Sequence, residues 1–244
     1  MVREKGCETE PAVLYDKLAA GAIAVVTLNR PGVLNAYNIA MRDALYEVLQ
    51  AVRDDPEVRV MVLRGNGRSF CSGGDIAEFG TAVSPLGARE TRWRRDVWGI
   101  LWSLPKITLA AVHGFVAGSG FEMMLLCDLC VASSDARFLL PETGLGMIPG
   151  VGGTQTVPRL LGLGRGLDLV LTGRWLDARA ARRHGIVNSV VSPRRLRDEA
   201  LRRAGALSHR RPELVAALKR AVNDGSDRSL AQGLEVEITR LGVR

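Results

Sequence analysis

The chain reads as an α/β fold, and three features predict it. Short apolar, β-branched runs alternate with stretches of helical periodicity, glycine-rich turns stand between the two kinds of segment, and the last third is almost wholly helical in pattern. At 244 residues, with 47% hydrophobic and 24% charged content, the chain is long enough for one large domain or two small ones around a sizeable core.

In order, the segment 12–18, Gly21 and the run GAIAVVTLN (21–29) predict a hairpin. Within NIAMRDALYEVLQAVRDD (38–55), Met41, Leu45, Val48, Leu49 and Val52 recur at helical spacing, with Asn38 as a cap and Pro56 closing the segment. VRVMVLRG (58–65) predicts a buried strand, followed by a glycine-rich turn over 65–74 and a helix through 88–103 that ends at Pro105. ITLAAVHG (107–114) predicts a further strand. Gly114, Gly118 and Gly120 then form a strand-to-helix turn, from which a helix runs through Glu122 to about Leu126. DLCVASSDARFLL (128–140) predicts extended chain, and 141–162 a Gly- and Pro-rich loop with short helical turns. Helical patterns follow at 163–172, 177–184, 193–208, 211–223 and 228–241, with a short strand at 186–191. The shift near 192 divides the chain into 1–191 and a helical subdomain, 192–244.

Several function classes are disfavoured at once. The charged start MVREKGCETEP lacks the apolar stretch of a signal peptide, and the apolar run from Ile107 to Phe121 is too short for a membrane span, so a soluble cytoplasmic protein is expected. Of Cys7, Cys71, Cys127 and Cys130, only the last two form a C-x-x-C, in the apolar setting LLCDLCVA, and His113, His184 and His209 stand far apart. Core thiols are therefore expected, and no metal site. The net charge of +7 comes from arginine, 29 residues against 4 lysines. The clusters at 88–95, 178–183 and 193–203 carry acids or helical periodicity and read as solvated helix faces. With aromatics at 5% and no zinc-finger or RNP-type motif, nucleic-acid binding is not expected, whereas an anionic small ligand suits the surface. No P-loop or G-x-S-x-G elbow is present.

What can carry chemistry is a pair of turns and a pair of acids. SFCSGGDIAEF (69–79) and GFVAGSGFE (114–122) each lead from a strand into a helix, and the first amides of a helix have no intrahelical partner. Two such amides converging on one oxygen make an oxyanion hole. Glu122 lies in an apolar helix and Glu142 stands twenty residues later. If the two share a pocket, burial and repulsion push their titrations apart and supply an acid and a base near neutral pH.

Taken together the sequence resembles the crotonase family, the enoyl-CoA hydratase/isomerase superfamily. The markers are LNRPGVLNAYN (28–38), GRSFCSGGDIAEF (67–79), AAVHGFVAGSGFEMMLLCDLCVAS (110–133), PETGLGMIPGVGGTQTVPRLLG (141–162) and LVLTGRWLDARAARRHGIVNSVV (169–191), in family order between about Val13 and Asn223. The resemblance implies a spiral of ββα units followed by a helical trimerisation subdomain, a homotrimer or dimer of trimers, and an acyl-CoA thioester as substrate, with no cofactor beyond that coenzyme A. It places oxyanion-hole amides at Gly74 and Ser119 and catalytic carboxylates at Glu122 and Glu142. Family members with both acids typically hydrate a 2-enoyl-CoA. Asp75, Ile76 and Ala77 would lie beside the coenzyme A moiety, with Arg30 nearby.

The pattern departs from the family at Ser119, commonly glycine, and at Gly32 and Ala77, often lysine, which leaves Arg30 or a helix arginine as substitute. The chain also ends about 20 residues earlier than is typical, which fits a natural short form, a truncated chain or a member with altered assembly. The rival readings are an enoyl-CoA isomerase, another crotonase-type lyase or decarboxylase, and a catalytically weak scaffold or RNA-binding relative.

Overall fold

The computed structural model describes residues 10–241. Cys7 and the charged N-terminal segment around it lie outside the described residues, as do the last three positions. The expected hairpin forms from β1 (Val13–Leu18) and β2 (Ile23–Leu28), and α1 (Ile39–Asp54) follows. The Asn38 side chain caps α1 by accepting from the Met41 amide at 2.9 Å. β3 (Val60–Gly65) comes next.

The helix expected over 88–103 is in fact two, α2 (Pro85–Arg94) and α3 (Val97–Ser103). The break has a local cause, since Asp96 caps the second helix through the Gly99 amide at 3.0 Å. β4 (Ile107–Val112), β5 (Phe115–Ala117) and α4 (Ser119–Leu125) form the second corner.

The extended stretch 128–140 is two strands in different sheets, β6 (Leu129–Ser133) and β7 (Arg137–Leu139), separated by a turn at Ser134–Ala136. The expected loop at 141–162 contains a regular helix, α5 (Gly153–Leu161), which leads into α6 (Leu163–Thr172). β8 (Leu176–Asp177), α7 (Ala178–Arg183), β9 (Ser189–Val191), α8 (Leu196–Ser208), α9 (Pro212–Gly225) and α10 (Leu230–Leu241) complete the chain.

Six strands form one sheet in the order β1-β2-β3-β4-β6-β9, parallel apart from the hairpin, and β5-β7-β8 form a second. The central strands are buried on both faces, which is why they read as unbroken apolar runs. Ala24, Val26, Leu28, Met61 and Leu63 face one core with Met41, Leu45 and Leu49 of α1. Ile23, Val25, Val60 and Val62 face the other core with Leu196, Ala200 and Ala204 of α8. Helix α8 therefore packs directly on the sheet, although it follows the compositional shift near 192. Helix α9 is tied on by Lys219, whose Nζ donates to Asp128 Oδ2 and to the Lys106 carbonyl, each at 2.8 Å. Among the described residues no helix is long and apolar enough to cross a membrane.

The second sheet positions the acids. β5 and β7 run parallel with Ala117 opposite Leu139, so the chain leaving β5 toward Glu122 and the chain leaving β7 toward Glu142 depart side by side. Twenty residues of sequence separation become adjacency through one strand register.

Candidate active site

The two corners are stitched together by main chain. Cys71 bridges Val116, with the Cys71 amide donating to the Phe115 carbonyl at 3.2 Å and the Ala117 amide to the Cys71 carbonyl at 3.0 Å. Tyr37 bridges Gly74 in the same way from the other side. Gly120 is where the corners meet most closely: a Cβ there would stand 2.6 Å from the Cys71 carbonyl oxygen. Gly118 takes the positive φ of the second turn, 48°, which a side chain disfavours, so the serine that follows it needs no such conformation. Among the described residues, the amides of Gly74 and Ser119 donate to no backbone carbonyl. Both residues line one cavity of about 350 Å³, together with Glu122 and Glu142.

Glu122 is 2% exposed. Its Oε1 accepts from the amides of Val151, at 3.0 Å, and Gly153, at 2.7 Å, the latter the first residue of α5. Two backbone donors and the positive end of a helix thus hold a buried carboxylate in one orientation. Glu142 opens a 3₁₀ turn, Glu142–Leu145, which is fastened to α6 by Thr143 Oγ1 donating to the Val170 carbonyl at 2.7 Å. Among the described residues its Oε2 is buried without a hydrogen-bond partner. Burial is the main cause that pushes its carboxyl from the ordinary 4.5 up to about 7; its own amide opposes the rise, and the nearby charge of Glu122 adds to it. One acid is held by donors and the other is kept poorly solvated, so the pair is electrostatically divided.

None of the four residues expected beside a coenzyme A lines this cavity. Arg30 Nη1 donates to Asp75 Oδ2 at 2.9 Å and to the Ala36 carbonyl at 2.6 Å, which keeps the Asp75 carboxyl below its usual range. Arg30 and Asp75 therefore brace each other, while Ile76 is 74% exposed and Ala77 donates its amide to Asp75 Oδ1 at 3.2 Å.

Behind the brace, Asn35 is fully buried at φ 57°. It accepts from the Arg30 amide at 2.8 Å and donates to the carbonyls of Asn66, at 2.8 Å, and Ser69, at 2.9 Å. Replacing it orphans three main-chain groups. Asn35→Ala is expected to lower unfolding free energy by about 3 kcal/mol in a denaturant titration; a loss under about 1 kcal/mol would contradict this role.

Among the described residues no cluster of His, Cys, Asp or Glu is arranged to hold a metal ion. Cys71, Cys127 and Cys130 are free thiols, and burial pushes Cys71 up to about 11 and Cys127 up to about 12.

The family model described as enoyl-CoA hydratase/isomerase matches residues 19–242. The chain belongs to the enoyl-CoA hydratase/isomerase family. Its relatives include a crotonyl-CoA hydratase of Syntrophomonas wolfei, 37% identical over 91% of this chain and 85% of that protein. Another is a short-chain-enoyl-CoA hydratase of Clostridium acetobutylicum, 38% identical over 91% and 85%. Among solved structures, an enoyl-CoA hydratase from Bacillus anthracis matches with a TM-score of 0.88 and 31% identity, covering 94% of this chain and 89% of that one. The crotonase-type fold expected from the sequence is thereby established.

Sequence reasoning missed the Val151 and Gly153 amides that hold Glu122, although the PGVGG run before α5 was the signal. It also missed Tyr37 and Trp98, to which it gave no role and which line the cavity while packing on the core.

Proposed function

We propose that the chain adds water across the C2=C3 bond of a 2-trans-enoyl-CoA to give a 3-hydroxyacyl-CoA. The observation that carries this reading is that Glu122, Glu142 and the amide-bearing corners at Gly74 and Ser119 line one cavity. Two acids suit a reaction that must both take a proton from water and give one to carbon. A shift of a double bond needs a single group to carry one proton, and leaves Glu122 without a task.

The Glu122 carboxylate takes a proton from water as its oxygen bonds to C3. The π electrons move toward the thioester oxygen, whose growing charge the Gly74 and Ser119 amides receive. Glu142, protonated, then delivers its proton to C2. The pair ends with the proton on the other carboxyl, and exchange with solvent restores the start. Coenzyme A enters as part of the substrate, and no further cofactor is required.

A homotrimer or dimer of trimers in the cytoplasm goes with this function. What supports assembly is an apolar stripe at four-residue spacing on each of the last two helices, Leu214, Leu218 and Val222 on α9 and Leu230, Leu234 and Ile238 on α10, all between 49% and 80% exposed.

The direct test is to mix purified protein with crotonyl-CoA and longer 2-enoyl-CoAs and follow loss of the conjugated enoyl-thioester absorbance. Hydration of at least one is expected, and absence of any turnover across the series would remove the reading.

A further inference from the structure

On the α8 side of the six-stranded sheet lies a second cavity, of about 520 Å³, which shares no lining residue with the catalytic one and is the larger of the two. Side chains alternate along a strand, so Val60, Val62 and Arg64 of β3 share one face. The two valines are buried against α8, and where a further apolar residue would extend the row, a half-buried arginine stands in the cavity wall. The register sets Thr27 of β2 opposite Arg64. Both lie at the carboxyl end of the parallel strands, the end at which open α/β sheets take their ligands.

Arg197, in the first turn of α8, lines the same cavity. Among the described residues neither Arg64 nor Arg197 makes a side-chain hydrogen bond or an ion pair. The other cation of the wall is different, since Lys17 is paired with Asp55 and Glu57, and His113 Nε2 is held at the Gly67 carbonyl at 2.9 Å. Asp16 and Asp135 also line the cavity, yet among the described residues neither forms an ion pair with either arginine. Burial is the main cause that holds the Arg64 guanidinium below its usual range; the charge of Arg197 adds to the fall, and Asp16 opposes it less strongly. Two guanidiniums near enough to repel, one of them half-buried and neither paired, are unfavourable by themselves. An oxyanion offsets that cost, because each guanidinium offers a planar fork of N–H donors that fits phosphate or carboxylate.

We propose that this cavity is a second ligand site, which binds a small molecule through a phosphate or carboxylate group held by Arg64 and Arg197. The proposal stands apart from the hydratase reading, since no residue of the catalytic cavity takes part.

The test follows thermal unfolding of wild type, Arg64→Met and Arg197→Gln with added inorganic phosphate, with succinate and, at matched ionic strength, with sodium chloride. Phosphate or succinate, at a few times its dissociation constant, is expected to raise the wild-type unfolding temperature roughly 2–4 °C above the chloride control. In each variant the midpoint of that titration is expected to move to a roughly tenfold higher concentration or more, since one charge-assisted donor group is lost. The probe that gives the larger rise identifies the group. Arg197 is exposed, so Arg197→Gln carries the test should Arg64→Met not fold.

A wild type that rises no further in phosphate or succinate than in chloride overturns the proposal. So does a rise of the same size and midpoint in Arg197→Gln, which places the bound anion elsewhere. Neither result bears on the hydratase reading, which the enoyl-CoA assay tests separately.

Discussion

Glu142→Gln is expected to lower kcat/KM for crotonyl-CoA hydration roughly 10²- to 10⁴-fold in a protein that stays folded. The glutamine keeps the size and the neutrality of the protonated side chain, so the fall reports chemistry and not collapse. A pH profile separates the two more sharply. The folded carboxyl titrates at about 7, above its ordinary 4.5, so it holds its proton below about 7 and loses it above. Hydration needs that proton, and wild-type kcat/KM should therefore fall as pH rises through about 7.

The reverse dehydration should fall along the same limb. Forward reaction starts with the proton on Glu142 and reverse reaction with it on Glu122, so both use the singly protonated pair, and the overall reaction takes up no net proton. In Glu142→Gln the residual rate should be flat across this range. A wild-type profile flat through 7, or a limb that survives the substitution, would show that Glu142 is not the titrating acid.

The acids and the turns that frame them were legible because their chemistry is local to short stretches. A carboxylate in FEMMLL has few bland explanations, and glycines at 114, 118 and 120 announce a corner wherever they fall. What could not be read was contact across the chain. α5 was hidden because a helix that opens with Gly153 and contains Pro158 has the composition of a loop, and its first amide matters only through Glu122, thirty-one residues earlier. The break between α2 and α3 turned on a single cap, Asp96, inside what reads as one periodic segment. The division of 128–140 into two strands was equally invisible, because both halves are apolar and extended and only their partners differ: β6 joins β4, while β7 joins β5. That same division brings Glu142 to the cavity, so the sequence offered Glu142 as a candidate without showing what delivers it.

Glu122→Gln tests the other half of the pair, and its expected signature differs from that of Glu142→Gln. The Glu122 Oε1 already accepts two amides, from Val151 and Gly153, and the carbonyl oxygen of glutamine can accept both, so the α5 loop keeps its anchor. Charge is removed with little change of geometry, and kcat/KM for hydration should again drop roughly 10²- to 10⁴-fold. The residual activity should titrate at lower pH than in wild type, because the negative charge of Glu122 is one of the causes that raises Glu142. The doubly substituted protein should be about as slow as the slower single variant, since two groups that move one proton between them act as a unit. Losses that simply multiply would mean that the carboxyls act on separate steps, and a limb that stays near 7 in Glu122→Gln would mean that they do not sense each other's charge.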